Sequence, residues 1–135
     1  MNAFYLKRGR EELDMSVELF GRLSDSNFKR MITHLLNAMD FIVDFANGKH
    51  TNIVDDIEGQ KELVEKLFGK EFLEDYFFIY NMKSKDAKIL GDNIIISGKS
   101  SMKMRKSDVG QLIKRVIGYF SMLYSKAVDD LDAFE

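Results

Sequence analysis

The chain has 135 residues, 45% hydrophobic and 31% charged, with 20 basic and 22 acidic side chains and a formal charge of −2. That fits one ordered domain, 1–135, with one hydrophobic core, and it shows no global pull toward nucleic acid or membrane. Cysteine is absent, which excludes disulfides, thiolate metal sites and cysteine nucleophiles; proline is absent too, so no proline kink is encoded. The basic first ten residues lack an apolar segment behind them and do not resemble a signal peptide. No apolar run approaches the roughly 18–20 residues of a membrane span. A soluble, cytoplasmic protein is expected.

The first predicted helix covers about residues 6–23, with Leu6, Leu13, Val17 and Phe20 as its apolar face. Ser24-Asp25-Ser26 interrupts it and offers short polar side chains to cap a second helix over about residues 26–47. Phe28, Met31, Ile32, Leu35, Met39, Ile42, Val43 and Ala46 form that helix's stripe, and Gly48 suits a left-handed C′ position.

A polar stretch over 49–56 precedes a third predicted helix over about residues 57–68, which Gly69 ends. Phe72, Leu73, Tyr76, Phe77 and Tyr80 then keep helical spacing to residue 82. The run Tyr76-Phe77-Phe78-Ile79-Tyr80 also fits a buried strand, but the charged helix formers before it favour a helix. Residues 87–90 and 93–97 are β-rich and flank Gly91-Asp92, which predicts a hairpin. Met102 and Met104 alternate with Lys103 and Arg105, as in a third extended piece. The last helix, 107–131, places Val109, Ile113, Val116, Phe120, Leu123, Ala127 and Leu131 on one face, and Ser107 and Asp108 cap its start. The predicted fold is mainly α: an antiparallel bundle of four or five helices with a small β-hairpin before the last helix.

Candidate sites are few. Lys99, Lys103, Arg105, Lys106, Lys114 and Arg115 are opposed within their stretch only by Asp108. A basic tract beside a helix start can hold phosphate, since lysine and arginine pair with it and free N–H groups point at it. The same run also serves as a solvated surface balancing acidic patches. His34, with Asp40 and Asp44 further along its helix, binds a metal only if a second element adds ligands. Glu62 with Glu65, and Glu71 with Glu74, alternate with Lys61, Lys66 and Lys70, as helix salt bridging does. The acidic end, with Asp129, Asp130, Asp132 and Glu135, reads as a solvated terminus. Gly110 and Gly118 suggest a close-packed helix face. No nucleophile elbow, Walker loop or dinucleotide fingerprint is present, so no catalytic residue, metal site or cofactor is assigned.

The stretch Ile32-Thr-His-Leu-Leu-Asn-Ala-Met-Asp-Phe-Ile-Val-Asp-Phe-Ala46 reads as an early bundle helix with a small residue at its centre. Residues 77–131 add an aromatic helix, a basic β-type insertion and a capped long helix. Together, over about half the chain, they resemble HEPN-like (higher eukaryotes and prokaryotes nucleotide-binding) domains. That resemblance implies a module for nucleotide, RNA or a partner protein, including a nucleotidyltransferase partner. Ribonuclease-active relatives carry an arginine followed by four to six residues and a histidine. Arg30-Met-Ile-Thr-His34 has only three between, so the resemblance implies a member without that nuclease pair. The alternatives are a metal-dependent hydrolase or nuclease around His34, Asp40 and Asp44, and a plain oligomerisation bundle. Eight methionines and eleven phenylalanines supply apolar surface for the latter, and the 76–80 run carries apolar groups on nearly every side, so a homodimer is expected.

Overall fold

A computed structural model describes residues 3–48, 57–98 and 102–132. His50, Lys99 and Glu135 lie outside them, and the side chains beyond Leu123, including Ala127, Asp129, Asp130, Leu131 and Asp132, lie outside the described ones. In chain order the elements are α1 (Ala3–Gly21), α2 (Phe28–Asn47), α3 (Ile57–Phe68), α4 (Lys70–Met82), β1 (Ala87–Leu90), β2 (Asn93–Ile96), β3 (Met102–Arg105) and α5 (Lys106–Asp132). The fold is mainly α with a small antiparallel sheet before the last helix, as the periodicities predict.

α2 is the central helix. Phe28, Met31, Ile32, Leu35, Ala38, Met39 and Ile42 are all fully buried, and Leu36 and Phe45 extend the buried surface beyond the predicted stripe. Its largest interface is with α1, and it also packs on α4 and α5. A helix apolar on so much of its circumference needs neighbours on several sides.

The buried face of α1 differs from the predicted one. Val17 is 42% exposed, whereas Leu6, Gly9, Glu12, Leu13, Ser16 and Leu19 are buried. Small and polar residues occupy the centre of this face because the two backbones come close there. A Cβ on Gly9 would lie 3.1 Å from Phe41 Cβ, 3.3 Å from Phe120 Cε2 and 3.5 Å from the Ala38 carbonyl oxygen. The Ser16 hydroxyl donates to the Met31 carbonyl at 3.0 Å.

The junction to α2 is closed by Asn27 rather than capped by Ser24, Asp25 or Ser26. The Asn27 side chain accepts from the Ser24 N–H at 2.8 Å and donates to the Arg22 carbonyl at 2.9 Å, and no side chain caps α2. Asp25 instead accepts the Ile89 N–H of β1 at 2.7 Å. At the other end Gly48 has φ 78°, and its N–H donates to the Asp44 carbonyl. Gly69, with φ 83°, separates α3 from α4. The 76–80 run is helical, and most of it is absorbed by the molecule: Tyr76 and Ile79 are buried, Phe77 and Tyr80 half-buried, and only Phe78 is exposed.

The hairpin forms as predicted and the third extended piece joins it, giving strand order β1-β2-β3. Ala87, Ile94, Ile96 and Met104 enter the core from one face of the sheet. α5 then starts at Lys106, where the Asp108 carboxylate accepts the Arg105 N–H at 2.9 Å; Asp108, not Ser107, supplies the side-chain contact. Val109, Ile113, Val116, Phe120 and Leu123 are buried as predicted, joined by Leu112 and Tyr119. Gly110 and Gly118 do not make one close-packed face: a Cβ on Gly110 would meet only the Phe20 ring at ordinary contact distance, and one on Gly118 would meet nothing within 4 Å. Buried side chains from all five helices and all three strands form one cluster.

Candidate anion-binding face

Strand alternation divides the sheet into two faces. Register pairs Lys88 with Ile95 and Ile95 with Lys103; two residues along, Leu90 pairs with Asn93 and Asn93 with Arg105. All six belong to the face turned away from the core. Lys88, Leu90, Lys103 and Arg105 are exposed, and Asn93 and Ile95 half-buried. Neighbouring strands lie about 4.8 Å apart, so Lys88 and Lys103 stand about 10 Å apart at the backbone, with Arg105 about 7 Å along β3 from Lys103.

The N-terminus of α5 extends this face. The Lys106 N–H donates to the Asp92 carbonyl at 2.8 Å, tying the helix start to the hairpin turn. Asp92, Asn93, Lys103, Arg105, Lys106 and Ser107 line a shallow concavity there. Two N–H groups at this helix start are already satisfied, by Asp92 and Asp108, so side chains rather than helix donors dominate the site. Three cations face two nearby carboxylates, and Asp108 is engaged by the backbone.

Of the predicted binding residues, Lys103, Arg105 and Lys106 come together. Lys114 is exposed two turns further along α5, about 12 Å of helix rise from Lys106. Arg115 belongs to a different structure. Its Nε and Nη2 donate to both oxygens of Asp75 on α4, at 2.9 and 3.0 Å, and Tyr119 Oη donates to Asp75 Oδ2 at 2.9 Å. Glu71 lies 3.6 Å from the same guanidinium. The Asp75 hydrogen bond holds the Arg115 pKa above its ordinary value, and burial followed by the Asp75 bond raises that of Tyr119. This clamp joins α4 to α5, so Arg115 is removed from the proposed phosphate set. Lys88 and Asn93 were missed, because only the strand register brings them beside Lys103 and Arg105.

His34, Asp40 and Asp44 do not converge. His34 donates from Nδ1 to the buried Glu12 carboxylate of α1, with Arg8 3.5 Å from the other Glu12 oxygen. Asp40 accepts the Tyr76 hydroxyl at 3.0 Å, and Asp44 is fully buried. Among the described residues no three histidine, cysteine or carboxylate side chains are placed to hold a metal ion. No helix among them is long and apolar enough to cross a membrane. No protein-family model, no curated protein and no solved structure matches the chain.

Proposed function

We propose that the protein is a non-catalytic binding module that holds phosphate groups of RNA on the outer face of its sheet and the start of α5. The observation that carries this is the register, which sets Lys88, Lys103 and Arg105 on one solvent face beside Lys106. Arginine grips phosphate in a bidentate way and lysine adds point charge. The strands contribute no aromatic ring to this face, only Leu90 and Ile95. The strands therefore supply no base stacking, and recognition runs through the backbone rather than sequence. The resemblance to HEPN-like domains suggests the same ligand class, with a nucleotidyltransferase as a protein partner.

The test is fluorescence anisotropy with labelled single-stranded RNA at several salt concentrations. Three or four phosphate contacts imply a log–log salt slope of about −2 to −3. The double variant Lys103→Glu/Arg105→Glu is expected to weaken binding more than about tenfold, whereas Arg115→Ala leaves it unchanged. Absence of binding at low salt, or indifference to the double reversal, refutes the proposal.

A further inference from the structure

We infer that the exposed stripe of α1 and the groove between α1 and α5 form an interface with a second copy of this chain. The groove is lined by Arg10, Leu13, Asp14, Val17, Ile117 and Phe120. Leu13 and Phe120 make a buried floor, while Val17 and Ile117, at 42% and 40% exposure, leave apolar walls in water. The groove continues toward Ala3 and Lys7 at the N-terminal end of α1.

The occupant follows from the order of residues along α1. Ala3, Lys7, Arg10, Asp14, Val17 and Gly21 succeed each other at steps of four, three, four, three and four, so they share one stripe. This spacing reads the same in both directions. A two-fold axis that sets α1 antiparallel to its copy therefore presents an equal spacing to itself, as an isologous interface requires. Centred between Arg10 and Asp14, it puts Arg10 against Asp14 of the partner subunit twice over. The Lys7 stem then lies over Val17 of the partner subunit, and Ala3 faces Gly21 of the partner subunit, where small side chains allow close approach. Among the described residues neither Arg10 nor Asp14 has an ion-pair partner within the chain. The charges are thus self-complementary at the centre, with apolar contacts on either side of them. Unlike the homodimer expected from the 76–80 run, this interface does not involve that run.

The experiment is sedimentation equilibrium of the full chain across micromolar concentrations. The native protein is expected to approach twice the 15.6 kDa chain mass. Arg10→Glu alone and Asp14→Arg alone each juxtapose like charges and are expected to raise the dissociation constant about tenfold or more. Mixing the two variants restores both opposite pairs, so the mixture is expected to dimerise where neither does alone. Circular dichroism of each variant checks that the helices persist, and Val17→Ser, which removes apolar wall without charge, should weaken the dimer too. A monomer at every concentration overturns the inference. So does a dimer unmoved by both reversals, or a mixture no tighter than its parts.

Discussion

Gly9 stands where α1 packs tightly on α2 and α5. Its missing side chain is what the neighbours need, since a Cβ there would press on Phe41, Phe120 and the Ala38 carbonyl. Gly9→Val is expected to cost about 2 kcal/mol through overpacking. Gly118 lies on α5 with open space around it, so Gly118→Ala should stabilise by about 1 kcal/mol from helix propensity alone. Urea midpoints of the two variants, moving in opposite directions, check this; equal shifts would contradict the packing described. The same position shows why the face of α1 was misread. Large apolar residues such as Val17 mark a helix face in the sequence, but Gly9 and Ser16 are among the residues that meet α2. Nothing local distinguishes them from surface residues. Their meaning lies in Ala38 and Met31 of another helix.

Among elements, the link between α4 and α5 carries the sharpest electrostatic consequence. Asp75 is buried and depends on Arg115 and Tyr119, from one α5 face, for its hydrogen bonds. Arg115→Ala leaves that carboxylate with one donor and is expected to cost about 2 kcal/mol, moderated because the guanidinium is partly exposed. Lys103→Ala at the sheet surface should stay within about 0.5 kcal/mol. Thermal or urea unfolding separates the two. Tyr119 adds a pH signature. Its folded pKa is raised above the ordinary tyrosine value of 10.0, so the neutral hydroxyl is favoured in the native state. As pH rises past 10, the unfolded chain loses this proton while the folded one keeps it. The stabilisation, full below that pH, is then lost at up to about 1.4 kcal/mol per pH unit. Tyr119→Phe should flatten this part of the alkaline limb, and a limb of unchanged slope would count against the clamp. Helix limits, glycine stops and the hairpin were legible because period and turn chemistry are local. The split of the basic tract was not. Arg105 and Arg115 look alike in the chain, and only the position of Asp75, forty residues before Arg115, separates binding surface from clamp.

At the scale of the molecule, the sheet is part of the core and not an appendage to a bundle. Ile94 is as fully buried as Ile32 of α2, and Ile96, Ala87 and Met104 lie in the same cluster. Truncating Ile94 therefore opens a cavity in the shared interior. Ile94→Ala is expected to cost about 3 kcal/mol, comparable to Ile32→Ala, with one cooperative transition and an unchanged urea slope in both. An appended hairpin would behave otherwise: Ile94→Ala would cost little or split the transition in two. Because strand side chains alternate, the residues proposed to hold phosphate are sequence neighbours of those that hold the core. Lys103 and Arg105 flank Met104, and the two sets point to opposite sides of one backbone. Binding and stability should then separate by alternate positions along β3. Lys103→Glu/Arg105→Glu is expected to weaken salt-dependent RNA binding more than about tenfold with the unfolding midpoint nearly unmoved. Met104→Ala is expected to lower the midpoint by about 2 kcal/mol in stability and to weaken binding only as far as it loosens the strand. Measuring both quantities for both variants decides the matter: if the charge reversals unfold the protein, or Met104→Ala leaves stability intact, the division of the sheet into a core face and a binding face is wrong.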